Sequence, residues 1–421
     1  MTHHVLNFGC RLNSYEGEAI RDALTKAQAG ETVVINSCAV TKEAERQARQ
    51  AIRRAKKDFP DAKIVVTGCA AQVNPEQFAQ MKEVDHVLGN QEKFEVSAYR
   101  FADKADQNRV LVTDIMEVKT VASHMVSAFE GRVRAFLQVQ NGCNHRCTFC
   151  IIPYGRGNSR SVPLGEIVAQ AKQLVLQGCR EIVLTGVDIT DYGKDLPGEP
   201  SLGEVSERLL RLVPEIERLR FSSLDVAEID PVLMRLLAEE QRVMPHVHLS
   251  LQAGDDLILK RMKRRHLSAD IKKFCNELRA KRPEVVFGAD LIAGFPTETD
   301  EQFARGLALV EELEIALLHV FPFSAREKTP AAKMPQLPMS VRKERAAKLR
   351  LMGEQIVKKI QMRRVGEIFK VVMETPHSAR ANDFTMWRVD KPLVAGEAYY
   401  VRAVSPGEIV IAEEKNALLV S

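Results

Sequence analysis

The stretch CNHRCTFCIIPYGRGNSR, residues 143–160, sets three thiols, Cys143, Cys147 and Cys150, in a C-x3-C-x2-C spacing. Such a spacing lets one short loop wrap three thiolates around a soft metal centre. No fourth cysteine follows nearby. A cubane iron–sulfur cluster has four irons to ligate, so three thiolates leave one iron open to a substrate or cofactor. Zinc would want four ligands and could recruit His145, although a ligand between Cys143 and Cys147 crowds the same turn.

Upstream of the loop, short apolar or β-branched runs at residues 3–8, 32–36 and 63–67 alternate with helical stretches at 14–26 and 41–57. This β-α-β-α-β order predicts a parallel sheet. Each run ends in a cysteine, as FGC at Cys10, INSC at Cys38 and TGC at Cys69. Ligands of open parallel sheets collect outside the carboxyl ends of the strands, so these three distant cysteines are expected to meet as a second three-thiolate site. The plainer alternative is three buried cysteines, a common fate for this residue type.

Downstream, candidate strands at 135–140, 181–185, 219–224, 246–251, 285–292 and 316–321 alternate with helical segments. A full eight-unit barrel takes about 250 residues, so roughly 200 residues fit six units better. Active sites of such folds lie at the carboxyl ends of the strands, where the Cys143 loop falls. After Gly366 the pattern changes to short alternating strands at 369–373, 399–403 and 408–412, the mark of a small β-barrel. The expected fold class is α/β: an N-terminal parallel-sheet domain (1–105), a linker (106–132) with a weak strand at 109–113, a partial (β/α)6 barrel (133–337), a basic helical connector (338–365) and a C-terminal all-β barrel (366–421).

A chain of 421 residues suits two or three domains, each with its own core. With 45% hydrophobic and 28% charged residues, no apolar run near a membrane span and no leader in residues 1–7, a cytoplasmic protein with no membrane partner is expected. Eight cysteines are too sparse for a secreted disulfide framework. Cys179 and Cys275 stand apart and are expected to be buried and structural. The net charge of +4 says little, but its placement says more. KRMKRRH (260–266) follows the fourth barrel strand, and residues 340–364 carry nine Lys or Arg against Glu344 and Glu354. Basic stripes attract nucleic-acid backbones, though either run could also be a solvated face. Lys260, Arg261, Lys263, Arg264 and Arg265, with Arg156 and Arg160 of the cysteine loop, are the expected RNA contacts.

CNHRCTFC resembles the radical S-adenosylmethionine (SAM) signature C-x3-C-x-aromatic-C, with Phe149 in the aromatic position. In that family SAM chelates the open iron, and one electron breaks its sulfonium to give a 5'-deoxyadenosyl radical. The resemblance implies that Phe149 contacts the SAM adenine, and that Thr185 and Gly186 (TGVD), Ser250 and Gln252 (SLQAGDD) and Asp290 (ADLIAGFP) help hold SAM. Each of these glycines is as readily a turn residue.

The whole order, strand-end cysteines, radical SAM loop and β-barrel tail, is similar to the methylthiotransferases. It implies two [4Fe-4S] clusters, a radical-generating one on Cys143, Cys147 and Cys150 and a sulfur-presenting one on Cys10, Cys38 and Cys69. It also implies two SAM molecules per turnover, an external one-electron donor and a sulfur donor. The tail resembles the TRAM RNA-binding module, although eight acidic against six basic residues after Gly366 weaken that likeness. GCRLNSYE (9–16), IIPYGRGNSRS (151–161), LSLQAGDDLILKRMKRR (249–265) and HVFPFSAREKTPA (319–331) resemble the branch acting on N6-threonylcarbamoyladenosine (t6A) at position 37, in the tRNA anticodon stem-loop. The alternatives are isopentenyladenosine in tRNA, an aspartate of a ribosomal protein, or a non-enzymatic RNA-binding iron–sulfur sensor.

Overall fold

The computed structural model describes residues 3–100, 109–121 and 134–412. The chain starts with β1 (His3–Asn7), α1 (Arg11–Ala27), β2 (Thr32–Ser37), α2 (Lys42–Asp58), β3 (Lys63–Gly68), the short helices α3 (Cys69–Val73) and α4 (Pro75–Ala79), β4 (His86–Leu88) and β5 (Val110–Leu111). The five strands form one parallel sheet in chain order. Local chemistry fixes α2, where Thr41 caps the Ala44 amide, Glu43 and Glu45 fill the first turn, and Lys56 and Lys57 fill the last. Its Ala48, Ile52 and Ala55 cover Val33, Ile35, Ile64 and Val66 on one sheet face. On the other face Ile20, Ala23 and Leu24 of α1 cover Val5, Val34 and Val65. The adjoining positions Leu12, Tyr15 and Ala19 pack with Ala135, Leu137 and Val139 of the next domain, so α1 serves both.

The expected linker at 106–132 needs correction. Val110 and Leu111 pair in parallel with Val87 and Leu88, which makes them the edge strand of the N-terminal sheet. Two residues between mixed charges give too short an apolar run to show that membership. The rest of that stretch lies largely outside the described residues.

Six parallel strands follow: β6 (Arg134–Gln138), β9 (Glu181–Thr185), β10 (Arg218–Phe221), β11 (His246–Gln252), β12 (Val286–Ala293) and β13 (Ile315–Pro322). The small pair β7 (Gln140–Asn141) and β8 (Arg160–Ser161) closes the base of the cysteine loop, which contains α5 (Ile152–Arg156). Two three-stranded sheets, β6-β9-β10 and β11-β12-β13, meet through the bridges Leu219–Val243 and Leu224–Leu249. Helices α6 (Leu164–Leu176), α7 (Leu202–Leu212), α8 (Pro231–Glu239), α9 (Asp256–Arg261), α10 (Ser268–Lys281), α11 (Asp300–Glu312) and α12 (Met339–Arg363) complete the barrel.

Helix α12 corrects the second boundary. Ala346, Leu349 and Ile356 join the barrel core, and a Cβ on Gly353 would lie 2.9 Å from the Ala316 carbonyl. The basic connector is therefore the helix of the sixth β/α unit, its apolar stripe at 346, 349, 353 and 356 hidden among cations. Several of those cations are committed: Arg345 pairs with Glu298 and Asp300, Arg342 reaches the Phe323 carbonyl, and Arg363 pairs with Glu314.

The last five strands, β14 (Ile368–Thr375), β15 (Ser378–Ala381), β16 (Met386–Val389), β17 (Ala398–Ser405) and β18 (Glu408–Ile411), close into a barrel around Trp387. This barrel docks on the amino ends of the larger barrel's strands. Asn382 accepts from Arg218 and Arg220, and Phe384 stacks on His246 at 4.7 Å.

One buried ion cluster joins the first two domains. The Arg156 guanidinium donates to Glu16 at 2.6 and 3.0 Å and to Asn13 at 2.6 Å, while Lys93 approaches Glu16 at 2.7 Å. Glu16 and Lys93 are 0% exposed and Arg156 is 2% exposed. Burial alone would push the Glu16 carboxyl up, but Arg156 and Lys93 outweigh it and hold it down at about 2. Glu16→Ala leaves two buried cations without their carboxylate and should cost roughly 3–5 kcal/mol, read as a lower urea midpoint. Because the Glu16 pKa lies below its ordinary 4.5, its contribution is complete above that pH and lost as pH falls toward 2. Acid titration of Glu16→Gln should lack that limb, and an identical limb in parent and variant would contradict the assignment.

Candidate active site

Glycine chemistry builds the first thiol set. Gly9 has φ +100°, and a Cβ there would sit 2.6 Å from the Cys38 Sγ. Gly68 has φ +92°, and its Cβ would sit 2.3 Å from the Ser37 carbonyl. Only glycine allows both the left-handed backbone and the close approach, so FGC and TGC deliver Cys10 and Cys69 beside Cys38. Asn90 lies 3.8 Å from the Cys69 Sγ and donates to the Gly155 carbonyl. A Cβ on Gly155 would lie 3.2 Å from the Cys69 Cβ. The second cysteine loop thus packs on the first thiol set.

The second set lies at the carboxyl end of β6, between the paired ends of β7 and β8. The Cys150 amide donates to the Cys147 carbonyl at 3.0 Å. Arg264 approaches the Cys147 Sγ at 3.6 Å and is held by Asp225 at 2.8 Å and the Ser250 carbonyl at 2.9 Å. His145 lies 3.2 Å from Asp188 and 3.6 Å from Glu228. Hydrogen bonds to these carboxylates raise its pKa to about 9.

Zinc would draw three sulfurs to about 3.8 Å from one another, given Zn–S bonds of about 2.3 Å. Among the described residues, neither set of three sulfurs lies within 4.8 Å of one another. The wider spacing suits a multi-iron cluster, where each thiolate binds a different iron. As free thiols, Cys38 and Cys150 are pushed up to about 12 by burial. Metal coordination reverses this, and Arg156 favours the thiolate at Cys10 and Cys38.

The residues expected to hold SAM fall on three barrel strands and the loop. Phe149 packs beside Phe295, Phe323 and Met262. Thr185 is buried at the end of β9, and a Cβ on Gly186 would lie 2.7 Å from the Gln140 carbonyl. Ser250 and Gln252 end β11, with Gln252 at φ +67°. Asp290 sits lower, within β12, bonded to Ser223 at 3.1 Å, with His248 at 3.1 Å and His319 at 3.2 Å from its other oxygen.

The RNA assignment of Arg156 and Arg160 fails on burial. Arg156 is the partner of Glu16, and Arg160, 4% exposed, donates to the Val118 and Arg156 carbonyls. Neither reaches a phosphate. Arg264 turns inward to Asp225, and Arg265, though exposed, is held by Asp225 and Glu228. Arg261 donates to Thr297, and Lys260 and Lys263 remain exposed without a partner among the described residues. Sequence reasoning missed Glu16, Lys93, Asp188, Asp225 and Glu228. GCRLNSYE contained a hint, since it places Glu16 near Cys10, and TGVD ends on Asp188. Cys179 and Cys275 are buried in the barrel core.

Residues 137–310 match the model of the Radical SAM superfamily, and residues 2–89 match Uncharacterized protein family UPF0004. The chain is 52% identical over 404 residues to "Threonylcarbamoyladenosine tRNA methylthiotransferase MtaB" of Rickettsia prowazekii (strain Madrid E), covering 96% of this chain and 95% of that one. It is 29% identical to "tRNA-2-methylthio-N(6)-dimethylallyladenosine synthase" of Shouchella clausii (strain KSM-K16), covering 98% of this chain and 84% of that one. Among solved structures, the radical S-adenosylmethionine methyltransferase TsrM from Kitasatospora setae, with tryptophan substrate and a SAM analogue bound, shares the fold at a TM-score of 0.53. Its identity is 14%, with 85% of this chain and 71% of that one covered. Two thiol triads packed together at the mouth of a radical SAM barrel, with this identity over nearly the full length, place the chain in the threonylcarbamoyladenosine tRNA methylthiotransferase family.

Proposed function

We propose that this chain inserts a methylthio group at C2 of N6-threonylcarbamoyladenosine at position 37, in the tRNA anticodon stem-loop. The observation that carries the reading is the packing of the Cys143 loop, through Gly155 and Arg156, directly on the Cys10, Cys38 and Cys69 set. When bound, a [4Fe-4S] cluster on Cys143, Cys147 and Cys150 supplies with SAM the radical that takes hydrogen from the adenine, and a second on Cys10, Cys38 and Cys69 supplies the sulfur.

The chain's own residues set the polarity around both groups. Arg264 gives one thiolate of the radical loop a charged hydrogen bond, and Asp225 fixes that guanidinium. Arg156 and Lys93 bring two buried cations against one carboxylate, so a net positive charge faces the other thiolates. Phe149, Thr185, Gly186, Ser250 and Gln252 line the barrel mouth where SAM would lie. An external electron donor and a sulfur donor complete the cycle. No described helix is long and apolar enough to cross a membrane. A reducing cytoplasm would keep six cluster thiols available.

Reconstituted enzyme given SAM, sulfide, dithionite and t6A-containing tRNA should yield the 2-methylthio nucleoside by mass spectrometry. Modification of ribosomal protein alone would overturn the reading. Cys10→Ala should keep reductive SAM cleavage within a few fold and lose sulfur insertion, whereas Cys147→Ala should lose both. Equal loss of 5'-deoxyadenosine in the two variants would contradict the division of labour. Exposed Lys260 and Lys263 are the cations of their run left for phosphate contact, so replacing both with Gln should reduce the salt slope of tRNA binding by about 2. An unchanged slope would make them solvent-facing only.

A further inference from the structure

Arg11 follows Cys10 directly, and its half-buried guanidinium lies 6.0 Å from the Phe384 ring, which itself stacks on His246 at the floor of the barrel. Asp290, Arg134 and Arg380 are close enough for their charges to act on it. The side chain therefore runs from the first thiol set into the barrel interior. Its cationic neighbours already have carboxylates: Arg134 pairs with Glu181 and Glu374, and Arg380 with Glu374. Among the described residues, Arg11 has no ion pair and no hydrogen bond. A cation desolvated in this way, surrounded by paired cations, lacks an anion.

The neighbouring wall is polar. Asp290 is held by Ser223, His248 and His319. His319 is 54% exposed, and the buried His248 Nε2 lies 3.1 Å from Asp290 without a well-aligned hydrogen bond. Ser223 follows β10, and the other three lie on β11, β12 and β13, with the Arg11 charge acting on His248 and Asp290. A threonylcarbamoyl group carries a free carboxylate, a hydroxyl donor and a carbonyl. An isopentenyl group carries no polar atom, so it would strip water from these groups and return nothing.

Resting on the substrate reading above, we propose that Arg11 pairs with the threonyl carboxylate of the substrate while Asp290 and His319 take its hydroxyl, making this wall the determinant that separates t6A from isopentenyladenosine. A site built to bond a polar substituent rejects an analogue lacking it far better than an apolar pocket rejects an extra hydroxyl.

The test is binding rather than turnover. Anaerobic, iron-replete enzyme is titrated with two anticodon stem-loops that differ only in t6A or plain adenosine at position 37. The parent should favour the t6A stem-loop, and Arg11→Gln should reduce that ratio at least tenfold, with Arg11→Lys recovering part of it. His319→Ala, remote from every cysteine, should reduce the ratio several-fold with full iron content, which separates recognition from damage beside Cys10. A ratio unchanged in Arg11→Gln and His319→Ala at full iron content, or a parent ratio near one, overturns the assignment. Methylthio transfer by the parent is scored separately, so failure of the substrate reading and failure of the Arg11 assignment come from different numbers.

Discussion

The Glu16 carboxylate, shared by Lys93 and Arg156, is the constraint on which the arrangement of this protein depends. Its three members come from the first helix, the turn after the fourth strand and the radical SAM loop, so folding any one without the others strands a buried charge. A hydrophobic contact would have joined the same elements. It would not have left a spare positive charge against three sulfurs. Arg156 adds that charge from the loop that carries the other sulfur set, so cluster environment and domain docking share one residue.

Charge pairing also explains which basic residues face solvent. Glu181 takes Arg134, Arg218 and Arg220 at the barrel floor, and its carboxyl is held well below the usual range despite burial. Arg264 and Arg265 share Asp225 above it. The interior thus satisfies most of its guanidiniums within the fold. Phe384 seals the floor from the small barrel, with the guanidiniums of Arg380, Arg220 and Arg134 4.2, 4.9 and 5.1 Å from its ring centre. The C-terminal barrel is in this way part of the chamber wall, and its Glu374 pairs with Arg134.

Much of this was legible in the residues. Strands β1, β2 and β3 and five of the six barrel strands fall within a residue or two of the expected positions, because short apolar or β-branched runs are strong local signals, whereas β10 ends three residues early and the three-residue β4 was not foreseen. The threonylcarbamoyladenosine branch, read from short motifs such as GCRLNSYE, agrees with the 52% identity to a protein of that name. Burial of charge was not legible. Arg156 and Arg160 sit in a glycine-containing loop that reads as exposed, and their carboxylate or carbonyl partners are distant in sequence. The apolar stripe of α12 was masked in the same way by the cations beside it, and strands β15 and β16 were missed because four-residue strands between turns carry little periodicity.

The central proposal is that each of the two triads of thiols holds a four-iron cluster. Iron and acid-labile sulfide counted on anaerobically reconstituted protein test it most directly. About eight of each per chain is the expected result. About four of each, or stoichiometric zinc in place of iron at either triad, would contradict it.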